Sequence, residues 1–132
     1  MKLSMTVFVV LILSLSLCYG FEKKSELIVD KEGILTDTGT GLQWYEGPDK
    51  ETNWDQANSW VANLTVGGGG WRMPTRAELR GLYAAGMRKR CFVWSGEVNG
   101  PFGAWGFGFT GGGEYDDTRD SDGRAFAVRS RR

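Results

Sequence analysis

The sequence predicts an α+β fold in which short strands precede and follow two helices. Apolar residues recur at intervals of three and four over residues 54–64, which is the periodicity of one helical face. Thr75 and Glu78 have the spacing of a capping box and predict the start of a second helix. Aromatic and small residues alternate over residues 104–109, as expected for a strand with one apolar face.

The first twenty residues are interpreted as a signal peptide. Residues 3–21 carry no charge, and Cys18 and Gly20 occupy the −3 and −1 positions of a cleavage site before Phe21. A retained membrane anchor is one alternative, since this uncharged run is long enough to span a bilayer; a lipoprotein site at Cys18 is another. We expect cleavage, a single domain over residues 21–132 with no membrane span, and a periplasmic or secreted location.

The charge and residue composition exclude several classes of function. The chain has 16 basic and 16 acidic residues, and cleavage would remove only Lys2, leaving a net charge of −1. A near-neutral domain is not a general binder of nucleic acid. Histidine is absent, and Cys91 would be the one cysteine of the mature chain, so no internal disulfide is expected. No cofactor and no metal site are predicted.

The segment 67–82 is predicted to organise the fold. Its four glycines permit positive φ angles, Trp71 supplies a large apolar anchor, and Pro74 fixes the backbone before the second helix. We expect Trp71, Leu79 and Trp94 to share one core beneath this turn. Strands are predicted at residues 27–29, 34–35, 42–45, 91–95, 104–109 and 125–128, with 91–95 central, residues 114–122 as an acidic loop and 129–132 as a basic end.

Short motifs occur in an order that is typical of one bacterial family. They are Asp37 with Thr40-Gly41-Leu42 and Trp44, Asn53-Trp54-Asp55-Gln56-Ala57, Trp71-Arg72-Met73-Pro74-Thr75 with Glu78 and Leu79, Trp94-Ser95, and Val128-Arg129-Ser130-Arg131. The chain thereby resembles the C-terminal domain of the Legionella collagen-like adhesin. The resemblance implies a C-type-lectin-like fold, with two helices on small, mostly antiparallel sheets. It implies structural roles for Trp44, Trp54, Trp71, Arg72, Pro74, Glu78 and Trp94.

The resemblance also bears on a missing disulfide. Relatives often carry one cysteine in the first helix and another in the closing motif V-R-C-V-R, and here Val61 and Ser130 are assigned to those places. This implies that the helix face near Val61 packs near Ser130, with their Cα atoms within the bridging range of ~4.4–6.8 Å.

The candidate ligand-binding residues are Arg88, Lys89, Arg90 and Trp105. Three consecutive cations suit acidic or sulfated sugars, which the resemblance to a polysaccharide-binding adhesin domain also favours; a solvated turn is the alternative. Trp105 could stack on a sugar ring if exposed, although the alternation of residues 104–109 indicates that most of these aromatic rings face inward.

Three other features have structural explanations that we prefer to functional ones. Arg72 is expected to hold the turn by bonding to an acid or to carbonyls, and Cys91 to be buried and inert. The acidic residues 114–122 are interpreted as a solvated loop, with calcium binding as the alternative.

The predicted function is an exported, non-enzymatic binding or adhesion module for a glycan or envelope polymer. The alternative is a structural protein that docks to another envelope protein. An enzyme on a formylglycine-generating-like scaffold is disfavoured, because that chemistry needs a cysteine pair and the mature chain has one cysteine.

Overall fold

The computed structural model describes residues 24–131, in which two helices accompany two antiparallel sheets. The predicted signal peptide, including Cys18, lies outside the described residues. The elements in chain order are β1 (Leu27–Val29), β2 (Leu35–Asp37), β3 (Leu42–Glu46), α1 (Trp54–Ala62), a 3-10 turn (Val66–Gly68), α2 (Arg76–Ala84), β4 (Phe92–Asn99), β5 (Gly103–Gly108), β6 (Gly113–Thr118) and β7 (Phe126–Ser130). The predicted α+β class is confirmed. Neither helix of the described part is long and apolar enough to cross a membrane.

The two sheets have the strand orders β1-β2-β3-β7 and β4-β5-β6. The prediction that residues 91–95 form a central strand is wrong, because β5 lies between β4 and β6. The prediction of an acidic loop over residues 114–122 is also wrong in its first half, since Glu114 to Thr118 belong to β6. Side chains of β6 are mostly exposed and polar, so this strand lacks the apolar alternation by which sequence patterns identify strands.

Both helices begin with a complete capping box. The Asn53 side chain accepts a hydrogen bond from the backbone N–H of Gln56, and the Gln56 side chain accepts one from the backbone N–H of Asn53. Thr75 and Glu78 form the same pair of bonds at the start of α2. These reciprocal bonds satisfy amides that the helix start leaves without a partner. The predicted start of α2 is confirmed.

A glycine two residues beyond Ala84 terminates the second helix. Gly86 has a φ of 113°, and its amide donates to Tyr83 O while the Met87 amide donates to Leu82 O. These two bonds form a Schellman motif, in which the left-handed position favours glycine.

The core consists of three apolar clusters rather than the single one predicted. Leu79 packs with Trp44 between the two sheets, Trp71 packs with Val61 beside α1, and Trp94 lies in a third cluster around Ala57. The three anchors expected to share one core therefore lie in three different clusters. Pro74 is fully buried, and its carbonyl accepts from the Gly96 amide at 2.8 Å.

Strand β7 separates two of these clusters. Phe126 and Val128 belong to the cluster of Trp44, whereas Ala127 belongs to the cluster of Val61. Ser130 pairs with Leu42, which packs against the Trp44 cluster. Because side chains alternate between sheet faces, Ser130 and Val61 lie on opposite sides of β7. The implied Val61–Ser130 pairing is therefore wrong, since a disulfide needs converging Cβ vectors.

Candidate functional site

An open pocket of about 300 Å³ lies between the loop after β3 and the segment that enters β4. Its lining residues are Glu46, Gly47, Pro48, Asp49, Lys89, Arg90, Cys91, Arg124 and Phe126. Three separate stretches of chain, residues 46–49, 89–91 and 124–126, therefore meet at what we call the cationic pocket.

Backbone hydrogen bonds fix the walls of the cationic pocket. The Gly47 amide donates to Ala125 O at 2.8 Å, and a Cβ at Gly47 would overlap that carbonyl oxygen. Arg124 is held against the edge of β4, since its amide donates to Phe92 O at 2.8 Å and its carbonyl accepts from the Trp94 amide at 3.0 Å. The backbone that carries these side chains is thus rigid on both sides of the pocket.

Two of the three cations in the pocket are paired with acids. Lys89 Nζ contacts the Glu46 carboxylate, and Arg124 lies 3.2 Å from both Asp49 Oδ1 and Glu51 Oε1. Hydrogen bonds to Glu51 and then to Asp49 raise the pKa of Arg124, although burial opposes this shift. Arg90 is exposed and has no ion-pair partner among residues 24–131.

The four predicted ligand-binding residues do not form one site. Lys89 and Arg90 line the cationic pocket, but Arg88 turns back onto α2, where its Nη1 donates to Tyr83 O at 2.6 Å and to Met87 O at 2.9 Å. The Arg88 guanidinium also stacks over the Tyr83 ring at 4.0 Å.

Trp105 lies apart from the basic segment. The Arg76 guanidinium covers its half-buried ring at 4.3 Å, and Arg76 begins α2 whereas Tyr83 lies in the last turn of that helix. The contacts of Arg88 and Trp105 therefore sit at opposite ends of α2. The inward orientation predicted for the alternating aromatic rings is confirmed for Phe107 and Phe109, which are 1% and 2% exposed.

Sequence reasoning missed Arg124 and the acids that accompany it. Asp49 and Arg124 are separated by 75 positions, and no local periodicity connects them. The local signal available is the cluster of Pro48 and acidic residues in the loop after β3, which indicates a polar loop but not its partner.

Cys91 lines the cationic pocket but is poorly suited to nucleophilic chemistry. Burial raises the pKa of its thiol, which outweighs the opposing charges of Arg124 and Lys89. A protonated thiol is a weak nucleophile. No histidine exists to act as its base.

Three of the five acidic residues considered for calcium binding have other partners. Glu114 pairs with Arg80 and lies 3.8 Å from Arg76 Nη1, Asp116 accepts from Asn99 at 2.8 Å, and Asp117 accepts from Ser121 at 2.8 Å. Within residues 24–131, no three His, Cys, Asp or Glu side chains converge in an arrangement suited to a metal ion.

The glycine-rich turn is held by two arginines. Arg72 forms a two-bond ion pair with Glu78, with nitrogen–oxygen distances of 2.7 and 2.6 Å, which supports its structural interpretation. Arg129, predicted to lie in a basic end, is instead 7% exposed and bonds to the carbonyls of Gly67 and Gly69.

Three tryptophans donate their indole N–H to backbone carbonyls, and two of these bonds, from Trp54 and Trp94, connect distant parts of the chain. Trp54 Nε1 donates to Ser95 O at 2.9 Å, Trp94 Nε1 donates to Thr52 O at 2.9 Å, and Trp71 Nε1 donates to Val66 O at 2.8 Å. These contacts fit the structural roles that the resemblance implies for the three residues.

A comparison with models of known protein families matches the part of the chain that contains most of these motifs. The family model of the Lcl C-terminal domain matches residues 33–129, a range that includes both helices and strands β2 to β6 in full. A search of curated proteins gave no match. The match covers well over half of the chain, which therefore belongs to the Lcl C-terminal domain family.

Proposed function

We propose that this protein is an exported, non-enzymatic binding module whose cationic pocket recognises the acidic groups of a polysaccharide. Membership of an adhesin-associated family supports a binding role and an exported location. The raised pKa of the Cys91 thiol and the lack of histidine favour binding over catalysis.

The main support for this proposal is that Arg90 lines the pocket without an ion-pair partner among the described residues. Lys89 and Arg124 already have carboxylate partners that hold them in place, whereas Arg90 stands at the same pocket with none among the described residues. A sulfate or carboxylate entering the pocket would gain an ion pair with Arg90 without breaking one. Lys89 and Arg124 are already positioned by their carboxylate partners, so they would lose little side-chain entropy if the ligand also contacted them.

The test measures the binding of dextran sulfate and of uncharged dextran to a protein of residues 21–132. Calorimetry gives Kd for each ligand at several salt concentrations. We expect Arg90→Gln to weaken binding of dextran sulfate and to reduce its salt dependence, because exposed charges are screened by salt. The matched control is Arg131→Gln. Arg131 is exposed, has no described ion-pair partner, and lies beyond the other end of β7, where its amide bonds to Gly41 O.

Equal losses for Arg90→Gln and Arg131→Gln would show nonspecific attraction to positive charge and would refute the proposed site. No binding of dextran sulfate by the parent would favour the docking alternative. The feature that would then merit study is Phe102, which is 78% exposed in the turn between β4 and β5.

A further inference from the structure

We propose that Trp60 is a stacking platform for a sugar ring, placed so that one polysaccharide chain contacts both Trp60 and the cationic pocket. This inference rests on the proposed function and adds that the ligand is an extended chain rather than an isolated anion.

Two further pockets flank Trp60. The first, of about 190 Å³, is lined by Pro48, Lys50, Glu51, Thr52, Gln56, Trp60 and Ala125. The second, of about 340 Å³, is lined by Tyr45, Glu46, Gly47, Pro48, Trp60 and Leu64. Trp60 and Pro48 line both, so the indole lies at the junction of two concave surfaces.

The indole of Trp60 is held in a fixed orientation. Its ring stacks on Tyr45 with centroids 6.2 Å apart and an interplanar angle of 19°. Its other contacts are to the clusters of Trp71 and Trp94 at the end of α1. A half-buried ring supported in this way presents aromatic surface without a large entropy cost on binding.

Hydrogen-bond donors beside this platform are unused. Trp54, Trp71 and Trp94 each donate their indole N–H to a backbone carbonyl, but Trp60 Nε1 has no such partner among residues 24–131. The side-chain amide of Gln56 is oriented because its Oε1 accepts a hydrogen bond from the backbone N–H of Asn53 at 3.0 Å. Its Nε2 has no described acceptor and remains available to a ligand.

This combination of groups suits a pyranose ring. Such a ring has an apolar face of C–H groups, which packs on an aromatic surface, and a rim of hydroxyls, which accept hydrogen bonds. Binding sites of this kind combine apolar and aromatic walls with a few placed polar groups. Trp60 supplies the surface, while its own N–H and Gln56 supply donors at the edge.

The platform is continuous with the cationic pocket. Glu46, Gly47 and Pro48 line both the cationic pocket and the second pocket at Trp60. Arg90 and Trp60 therefore face the two sides of one short loop. A chain that crosses Pro48 can place an acidic substituent at Arg90 and a neighbouring ring on Trp60.

The first experiment observes the indole N–H signals of the parent protein by 15N NMR during titration with uncharged dextran oligosaccharide and with dextran sulfate. We expect the Trp60 signal, assigned from Trp60→Phe, to shift with both ligands. The Trp71 signal should remain in place because its N–H is bonded to Val66 O. A Trp60 signal that stays unchanged with dextran sulfate bound would overturn the inference.

The second experiment measures affinity for dextran sulfate. Trp60→Leu should weaken binding about two- to tenfold, the range expected for one aromatic contact, without changing the salt dependence. Trp105→Leu is the matched control, since Trp105 is also half-buried and its Nε1 has no described acceptor, but it packs beside Arg76. Should Trp60→Leu fail to fold, Trp60→Phe replaces it, with a smaller loss expected.

The two proposals fail in distinguishable ways. Parent-like affinity of Trp60→Leu together with weakened Arg90→Gln would overturn the platform and leave the cationic pocket standing. Parent-like affinity of both variants would overturn both. An equal loss for Trp60→Leu and Trp105→Leu would also refute a specific role for Trp60.

Discussion

The guanidinium of Arg129 lies 4.2 Å from the centre of the Trp71 ring and connects the last strand to the glycine-rich turn. Its Nη1 donates to Gly67 O at 2.9 Å and to Gly69 O at 2.6 Å, and its Nε donates to Gln43 Oε1 at 2.9 Å. A single side chain of β7 thus joins β3, the turn and the Trp71 cluster.

Arg129→Lys is expected to lower the free energy of unfolding by about 2 kcal/mol. Lysine keeps the charge but cannot reproduce the planar fork that reaches two carbonyls and an amide oxygen while stacking on Trp71. Urea denaturation measures the effect. Arg131→Lys is the control, and as an exposed substitution it should change the free energy of unfolding by no more than about 0.5 kcal/mol. Equal midpoints for the two variants would contradict the role assigned to Arg129.

Local signals in the sequence predicted local structure well. The Thr75–Glu78 capping box, the helical period of residues 54–64 and the alternation of residues 104–109 each correspond to an observed element. Such patterns arise because a helix or strand imposes its own period on the side chains that it buries. They contain no information on which elements become neighbours.

The errors concern relationships between distant segments. The sequence predicts Arg129 in a basic end, since no local pattern connects it with its partners Gly67 and Gly69, which lie about sixty positions earlier. The pairing of Arg124 with Asp49 and the division of the core into three clusters likewise depend on the packing of both sheets. Of the three consecutive cations proposed for ligand binding, Lys89 and Arg90 line the cationic pocket and Arg88 does not, and their role in binding stays a prediction.

The three-cluster core predicts that Trp71 and Leu79 contribute independently to stability. Trp71→Phe removes the hydrogen bond to Val66 O and part of the ring under Arg129, while Leu79→Val creates a small defect between the sheets. Effects of residues without shared partners add within about 0.5 kcal/mol. Urea denaturation of both single variants and the double variant measures the coupling. A coupling energy above about 1 kcal/mol would indicate that the two residues share one core after all.

Glu78→Gln is expected to reduce stability at neutral pH but not in acid. The hydrogen bond from Arg72 is the largest cause that lowers the pKa of Glu78, and burial opposes it. Because the folded pKa is below the unfolded value of about 4.3, the charged pair stabilises the fold above that pH. This contribution is lost as the pH falls from about 4.3 through the lowered folded pKa.

The expected difference from the parent is at most about 1 kcal/mol at pH 7, since the Arg72 side chain is 49% exposed and solvent screens the pair. Glutamine can still accept from the Thr75 amide, so the variant isolates the charge from the capping box. Denaturation at pH 7 and at about pH 2.5 measures the change. The control is Glu32→Gln, at an exposed site with no described ion pair. The difference in free energy of unfolding between this variant and the parent should be the same at both pH values. If Glu78→Gln is still less stable than the parent at about pH 2.5, the electrostatic explanation is contradicted.

The packing of α1 against β7 revises the position of the cysteine pair that the resemblance implies. Val61 and Ala127 are 3% and 0% exposed and belong to one cluster. If the last three residues of the closing motif implied by the resemblance, C-V-R, are aligned with Ala127-Val128-Arg129, the second cysteine falls at Ala127 rather than at Ser130. The shift by three residues also moves that side chain to the face of β7 that contacts α1.

We therefore expect Val61→Cys with Ala127→Cys to oxidise spontaneously in a Cys91→Ala background, which removes the competing thiol. The bond would close a loop of about 65 residues, for which chain entropy allows a gain of up to about 4 kcal/mol before native strain is subtracted. Alkylation followed by intact-mass analysis counts the free thiols, and melting with and without reductant measures the gain. The matched control, Val61→Cys with Ser130→Cys, should retain both thiols because its side chains lie on opposite faces of β7. Oxidation of the Ser130 pair but not of the Ala127 pair would show that the sidedness of β7 is reversed, and with it the contact between the first helix and the last strand.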